Sequence, residues 1–421
     1  MYDLTTLENG LRVLTVSVPH VQSVSIGLFL RVGSRFESDA LSGASHFIEH
    51  MFFKGTERRP TAQDVAETIE GKGGILNAST GVESTLLWAK VAAAHVCEAI
   101  DLVSDMLLHS AFDPHEMEKE RAVIAEELKY EVEAPDSLVE MLVSRLQWPD
   151  HPLGREIAGS SETVRGFSRE ALLDYLRSHY LPGQAVLAAA GQIRHSKAVG
   201  LARSLLSGWE AGPPPVFAPA PPDSSGPKLA LHFKDTEQSH IGLSFTGLQR
   251  GHPDRHVLAL MSVILGGGMR ARLFQQVRER RGLAYSIDCY ADQFDDTGSV
   301  GFYAGVAPES SAPAVQAILG ELDRLRQEPI PQDELLKAKD FSKGRFALAL
   351  EEPFAVASWY ARQELLGPDV LDPAKMISEE GKVQAQDIQR VAQALFRPER
   401  LNLAVVGPEK NEGQFRKAMC F

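Results

Sequence analysis

Hydrophobic and polar positions alternate in four short stretches of the chain, two near its start and two just beyond its middle. These stretches are residues 11–18, 23–32, 229–233 and 240–246. An alternation with a period of two predicts β-strands that bury one face. Helical periodicity follows in each half, near residues 42–53 and near 253–265. Each half of the chain is therefore predicted to combine a sheet with packed helices.

The same order of elements continues through both halves. Glycine-containing strand patterns and then amphipathic helices come next, at 73–91 and 95–109 in the first half and at 298–306 and 312–327 in the second. A further helix opens near Phe112 and near Ile330, with proline beside its start and acidic residues in its first turn. An internal duplication explains this order. The predicted fold class is α+β, with two homologous domains, each a mostly antiparallel sheet with helices packed on one face.

A proline-rich segment at residues 211–228 separates the two halves. Proline at this density favours extended polyproline II structure and prevents a helix or a central strand. A chain of 421 residues is also long for a single hydrophobic core. We therefore predict an N-terminal domain over 1–210, a linker over 211–228, and a C-terminal domain over 229–421.

Composition excludes several classes of protein. The net charge of −13 disfavours a nucleic-acid partner, which needs a basic patch, and mildly favours basic or neutral substrates. The cysteines, Cys97, Cys289 and Cys420, form no C-x-x-C pair, so they predict free thiols rather than a thiolate zinc site or a disulfide framework. No apolar run approaches the roughly 18 residues of a membrane helix, and the first residues do not resemble a signal peptide. We predict a cytoplasmic protein without a membrane partner.

The first predicted helix contains the sequence H-F-I-E-H, from His46 to His50. Histidines four positions apart lie on one face of a helix and can bind one zinc ion. Zinc lowers the pKa of its water to about 7, and Glu49 is placed to take the proton as general base. A chance match is the alternative in a chain with 13 histidines. The apolar residues around the motif favour the metal, because polar groups there are costly unless they are paired.

A third ligand is needed, since hydrolytic zinc sites usually have three protein ligands and one open position. Glu120 and Glu127 are seven positions apart in a later helix, so they point to the same side. One carboxylate could bind the metal and the other could hold a histidine. Solvent-exposed acidic residues are the alternative, and the residues alone do not choose between these roles.

These motifs resemble the pitrilysin/insulinase family of zinc peptidases, whose pattern is H-x-x-E-H followed after a long spacer by glutamate. The resemblance covers essentially the whole chain and is strongest to members similar to the β subunit of mitochondrial processing peptidase and their single-chain bacterial relatives. It implies one zinc ion per chain, held by His46, His50 and Glu127, with Glu120 as the supporting carboxylate. Glu126 is the alternative ligand, because adjacent helical residues face different directions.

Two further segments carry the resemblance. The segment G-G-I-L-N-A-S-T resembles the family's edge strand, which implies that Asn77 and Ala78 bind the substrate by β-augmentation. Arg278 and Tyr285 resemble the family's Arg/Tyr pair, which implies contacts to the substrate carbonyl and the developing oxyanion. One departure is the sequence at 86–88, Leu-Leu-Trp, where relatives often carry tyrosine. It affects the expected shape of a specificity pocket.

The resemblance implies a zinc-dependent endopeptidase that cleaves short or unfolded peptides inside a dimeric clamshell chamber. No second H-x-x-E-H is present, and the position equivalent to Glu127 falls near Gly344. One half would therefore supply the metal site and the other the Arg/Tyr pair. The resemblance implies that two such chains pair as a homodimer, or that one pairs with a related chain as a heterodimer. The alternative function is a non-catalytic or partner-dependent peptide-binding subunit of a processing-peptidase-like complex.

Overall fold

The computed structural model describes residues 2–223 and 226–419. In these ranges the strands are β1 (Asp3–Thr6), β2 (Arg12–Ser17), β3 (Ser23–Leu30), β4 (Ile75–Thr80), β5 (Thr85–Ala92), β6 (Ala185–Gly191), β7 (Lys228–Phe233), β8 (Ser239–Thr246), β9 (Ala284–Gln293), β10 (Gly298–Val306) and β11 (Asn402–Gly407). The α-helices are α1 (Ala44–Phe52), α2 (Ala62–Ile69), α3 (Val96–His109), α4 (Pro114–Glu133), α5 (Pro135–Gln147), α6 (Ser161–Gly166), α7 (Arg169–His179), α8 (His195–Leu206), α9 (Arg255–Gly266), α10 (Ser311–Gln327), α11 (Gln332–Ala349), α12 (Pro353–Leu366), α13 (Pro373–Lys382), α14 (Ala385–Leu395) and α15 (Glu412–Ala418). A π-helical turn spans Phe274–Glu279.

The strands form two sheets with matching topology. The first sheet has the order β1-β2-β6-β3-β5-β4 and the second the order β7-β11-β8-β10-β9. One pair in each sheet is parallel, β2 with β6 and β7 with β11, and the remaining pairs are antiparallel. The predicted fold class, two related α+β domains with mostly antiparallel sheets, is confirmed. Strand β1 of the first sheet has no counterpart among the described strands of the second sheet.

Strand β9 is a strand that the hydrophobic pattern did not predict. It lies at the edge of the second sheet and pairs only with β10 among the described strands. Its residues are a mixture of exposed, half-buried and buried positions rather than a strict alternation. An edge strand is covered less evenly than a central one, so its sequence carries a weaker period-two signal.

The compact units do not follow the order of the chain. One unit contains the residues up to Leu128, Glu156–Ala218 and Ala347–Asp372, and the other contains Lys129–Arg155, Pro219–Phe346 and the residues from Pro373. Helix α5, from the first half of the sequence, thus belongs to the second unit, and α12, from the second half, belongs to the first. The predicted ranges 1–210 and 229–421 do not include this exchange. Within the predicted linker, residues 211–223 form neither helix nor strand.

In the first unit, one face of the sheet packs on α1, α3, α7 and α8. Buried residues of this core include Ile26, Leu28 and Phe47. The opposite face packs on α12, where Leu14 and Phe29 share a smaller cluster with residues of that helix. The predicted one-sided packing therefore describes the main core, and the exchanged helix covers the second face.

The second unit repeats this arrangement. Its main core includes Phe245, Phe302 and Phe396, whose rings contact one another at centroid distances of 5.3 to 6.4 Å. Helix α5 covers the other face of the sheet, and its Val139 belongs to a buried cluster with Val406 of β11. Each sheet is thus shielded on both faces by helices.

Two further predictions concern the state of the cysteines and the absence of membrane-spanning helices. Cys97 and Cys289 are free and half-buried, and Cys420 lies outside the described residues. None of the helices that the structure describes is long and apolar enough to cross a membrane.

Candidate metal centre

The start of helix α1 is fixed by a buried carboxylate and a glycine. Glu37 accepts hydrogen bonds from the backbone N–H groups of Gly43 and Ser45, both at 2.7 Å. A carboxylate at a helix N-terminus satisfies free N–H groups and opposes the helix dipole. Gly43 has φ of 95°, and a Cβ atom there would lie 2.5 Å from the carbonyl oxygen of Ala158. The backbone is therefore fixed at Gly43, immediately before the helix begins.

Helix α1 has one face in the core and the other towards the predicted metal site. Phe47, Ile48 and Met51 are fully buried. The side chains of His46 and His50 remain 19% and 18% exposed, so a small ligand can reach them. Local helix geometry thus places both imidazoles on the accessible side, as the spacing predicts.

Helix α4 places Glu127 beside these histidines. The Oε2 atom of Glu127 lies 3.6 Å from His50 Nε2 and 4.0 Å from His46 Nε2. These three residues are the group of potential metal ligands found in the described part of the chain, and their donor atoms all lie within 4.8 Å of one another. Glu126, the alternative ligand, is exposed and is not part of the group.

The donor atoms fit a zinc ion. Donors about 2.0–2.2 Å from one ion in tetrahedral geometry lie about 3.4 Å from each other. The Glu127 carboxylate oxygen lies 3.6 and 4.0 Å from the two imidazole nitrogens, so small side-chain movements bring the donors to this spacing. Two imidazoles and one carboxylate are also a donor set that zinc binds in hydrolytic enzymes. Among the described residues, Glu49 Oε2 has no hydrogen-bond partner although it is buried. Such buried polar atoms are expected where a site is completed by a ligand or by water.

Glu120 supports the site from behind His50. One of its carboxylate oxygens lies 2.9 Å from His50 Nδ1, and the other lies 2.7 Å from the Lys54 ammonium group. Glu120 is only 4% exposed. A His50 Nδ1–H that donates to this carboxylate leaves the Nε2 lone pair directed at the metal site. Lys54 was not predicted from the sequence, although its position one turn after His50 was a usable signal.

The surroundings of the site shift the pKa values of His46 and Glu49. Burial, with a smaller effect of the nearby His50 charge, lowers the pKa of His46 to about 4, so His46 is neutral and able to bind a metal at pH 7. Burial raises the pKa of Glu49, and the negative charge of Glu127 adds to this effect. Hydrogen bonds from Thr80 oppose the increase. A carboxylate with a raised pKa is better able to accept a proton near neutral pH.

The predicted substrate strand, β4, lies at the edge of the first sheet beside α1. It pairs with β5 on one side, and no other described strand pairs with it. Ala78 is buried on the face of the sheet that α1 covers, whereas Asn77 is exposed. The Asn77 side chain accepts a hydrogen bond from the Ala78 N–H at 2.8 Å. Thr80, which interacts with Glu49, belongs to the same strand and was not predicted.

The departure at residues 86–88 lies away from the metal site. Trp88 packs against Phe354 of α12 in a tilted arrangement, with ring centroids 4.3 Å apart. Leu86 also belongs to the cluster on this face of the sheet, opposite α1. Of residues 86–88, only Leu87 packs in the core on the α1 side of the sheet.

Arg278 and Tyr285 lie close together in the second unit. The Arg278 guanidinium group is 4.8 Å from the ring centroid of Phe274 and 5.5 Å from that of Tyr285. Tyr285 is 72% exposed and lies on β9, the edge strand that corresponds to β4 in the other sheet. The pair is therefore available to a ligand at a sheet edge.

Comparison with known proteins finds one family along most of the chain. The family described as "Insulinase (Peptidase family M16)" matches residues 12–161, which include His46, His50 and Glu127. The family described as "Peptidase M16 inactive domain" matches residues 166–341, which include Arg278 and Tyr285.

Similar full-length proteins are found among bacteria. "Uncharacterized zinc protease YmxG" of Bacillus subtilis is 35% identical over 406 residues, which cover 96% of this chain and 98% of that protein. An "Uncharacterized zinc protease" of Rickettsia felis is 32% identical over 413 residues, covering 98% of this chain and 99% of the relative. The crystal structure of a protease from Helicobacter pylori has a TM-score of 0.91 at 23% identity, covering 96% of this chain and 99% of that one. This last similarity supports the fold alone.

Proposed function

Because the chain belongs to the insulinase family of peptidases, peptidase family M16, we propose that it is a zinc-dependent endopeptidase that hydrolyses short or unfolded peptides. The observation that carries the proposal is the convergence of His46, His50 and Glu127 beside Glu49. Relatives that match almost the whole chain are named zinc proteases, which supports the same metal here.

The residues of the first unit have distinct roles in this proposal. When bound by His46, His50 and Glu127, zinc supplies a Lewis acid and lowers the pKa of water to about 7. Glu49 accepts a proton from the attacking water and returns it to the leaving amine nitrogen. Glu120 holds the His50 ring in the orientation and tautomer that metal binding requires.

The substrate is bound by main-chain pairing. An extended peptide adds to the free edge of β4 at Asn77 and Ala78, which gives affinity with little demand on sequence. The hydrogen bond between these two residues must open to release the Ala78 N–H for the peptide. Arg278 and Tyr285 are proposed to hold the substrate carbonyl and to stabilise the oxyanion.

Mutation of Glu49 tests the catalytic proposal. We expect Glu49→Gln to retain about one zinc ion per chain and to lose at least about 100-fold in kcat, because the metal ligands remain but the base is removed. Cleavage of a quenched fluorescent peptide library and metal analysis by mass spectrometry measure both properties. Glu126→Gln is the matched control and is expected to keep both zinc and activity.

The outcomes separate the proposal from its alternative. Equal activity of wild type and Glu49→Gln would overturn the role of Glu49. Zinc in both proteins without cleavage by either would favour a non-catalytic or partner-dependent peptide-binding subunit. The description "inactive domain" for residues 166–341 is the observation that favours this alternative.

We further propose that the active species is a homodimer, with the metal site of each chain completed by the Arg278–Tyr285 pair of the other chain. The support is the division of the site residues between two halves of one sequence, with one group of potential metal ligands in the described residues. Light scattering combined with activity measurements over a dilution series tests this assembly. A fully active monomer contradicts it, and activity that requires a second polypeptide supports a heterodimer.

A further inference from the structure

Residues 33–37 of the first unit contact three parts of that unit that matter for the proposed activity. They interact with Phe217 in the proline-rich segment, with the turn between β4 and β5, and with the start of α1. All five residues are buried, unlike the residues of an ordinary surface loop.

Arg35 is the centre of these contacts. It is 1% exposed and forms a 2.6 Å ion pair with Glu83, which is itself 6% exposed. The Arg35 guanidinium group also lies 4.1 Å from the ring centroid of Phe217 and donates a 3.2 Å hydrogen bond to the carbonyl oxygen of Ala218. A buried arginine is stable only with such partners, and an aromatic ring above it adds a cation–π interaction.

Phe217 is held by a second ring contact. Its ring and that of Phe36 meet edge to face, with centroids 5.4 Å apart and an interplanar angle of 89°. This is a favourable geometry for an aromatic pair. The neighbouring residue, Val216, is 89% exposed. The proline-rich segment thus contacts residues 35 and 36 through the Phe217 ring, in addition to the hydrogen bond from Arg35 to Ala218.

The same segment fixes the turn that joins the edge strand β4 to β5. The N–H of Ser34 donates to the Gly81 carbonyl oxygen at 3.2 Å, and the N–H of Arg35 donates to the Val82 carbonyl oxygen at 2.9 Å. A Cβ atom at Gly33 would lie 2.2 Å from the Gly81 oxygen, so glycine is required for this approach. Ser34 and Arg35 thus bind the backbone of the turn, and Arg35 also binds its Glu83 side chain.

We propose that Phe217 acts as a latch that holds β4 in the position in which it binds the substrate, with Arg35 as the positioning residue between them. The inference rests on the proposed binding of peptides at β4. Phe217 excludes water from the Arg35–Glu83 ion pair, and a buried ion pair is stronger in a low dielectric than in water. Loss of the ring hydrates the pair and loosens the β4–β5 turn. The proline-rich segment is therefore a part of the substrate-binding apparatus.

The variants Phe217→Ala and Val216→Ala test the latch. We expect Phe217→Ala to raise KM for a quenched peptide about tenfold, the effect of losing a cation–π and an aromatic contact, with kcat changed by less than about twofold. The zinc content is expected to stay at the wild-type value, because none of the metal ligands contacts the latch. Val216→Ala is the matched control and is expected to behave as wild type. Phe217→Tyr keeps the ring and is expected to have the wild-type KM.

Hydrogen exchange provides a readout that does not depend on catalysis. In Phe217→Ala we expect faster exchange in residues 33–37 and 75–84 and unchanged exchange in α8. Identical exchange and identical KM in the Phe217→Ala and Val216→Ala variants would refute the latch. A wild-type protein that cleaves no peptide would instead refute the proposed function, while the exchange experiment would still decide whether Phe217 holds β4.

Discussion

Removal of Glu120 is expected to weaken zinc binding although Glu120 is not among the proposed ligands. Its carboxylate is 4% exposed and bridges His50 Nδ1 at 2.9 Å and Lys54 at 2.7 Å. Glu120→Ala leaves the imidazole N–H and the ammonium group without this acceptor. His50 is then free to rotate or to exchange tautomers, and both changes reduce the fraction of molecules in which Nε2 can bind the metal.

The magnitude follows from the contacts that are lost. Residues that support metal ligands in this way contribute about 10- to 100-fold in metal affinity, which corresponds to about 1.4 to 2.7 kcal/mol. Glu120→Ala removes both hydrogen bonds and is expected near the upper value. Glu120→Gln keeps an oxygen acceptor for His50 but loses the charge that pairs with Lys54, so we expect a loss of about tenfold.

The assay is a titration of zinc against a chelator of known affinity, followed by metal analysis of the washed protein. Glu127→Ala provides the value for loss of a ligand, and Glu126→Ala provides the control on the same helix. Urea unfolding of the metal-free proteins separates an effect on zinc from an effect on folding. Wild-type zinc affinity in Glu120→Ala would show that the contact to His50 does not support the metal site. Loss of zinc in Glu126→Ala would mean that Glu126, rather than Glu127, is the third ligand.

Two further predictions concern stability. Burial alone would raise the pKa of Asp105. Hydrogen bonds from Thr56, Arg58 and Arg59 outweigh this effect and lower the pKa. Its contribution to stability is therefore fully present above the unfolded-state pKa of about 3.9 and is lost as the pH falls through the lower folded-state value. We expect Asp105→Asn to be about 1–3 kcal/mol less stable than wild type at pH 7 in urea unfolding, with a smaller difference below about pH 4; a difference that grows in acid would contradict this. Gly43→Ala is expected to cost at least about 2 kcal/mol in the same assay, because alanine is strained at a φ of 95° and its Cβ would lie 2.5 Å from the Ala158 oxygen. Wild-type stability of this variant would mean that the approach of Ala158 is not rigid.

The sequence by itself determined the features that depend on local periodicity. His46, Glu49 and His50 share a helix, and a spacing of four residues on a helix puts two side chains on one face whatever surrounds them. The two-fold repetition of strands and helices likewise follows from patterns of two to four residues, so the duplicated α+β architecture could be predicted before the structure. Glu120 and Glu127 could be placed on one side of α4 for the same reason, but their separate roles were implied by the family resemblance rather than by the pattern.

Only the tertiary structure decided which distant segments meet. Lys54 pairs with Glu120, and Phe217 packs on Arg35, through contacts between residues far apart in the sequence that no local pattern reports. The exchange of α5 and α12 between the two units has the same cause, since an amphipathic pattern shows that a helix face is buried but not which sheet buries it. Periodicity is a property of a few consecutive residues, whereas the partner of an apolar face or of a buried charge is chosen by the packing of the whole unit.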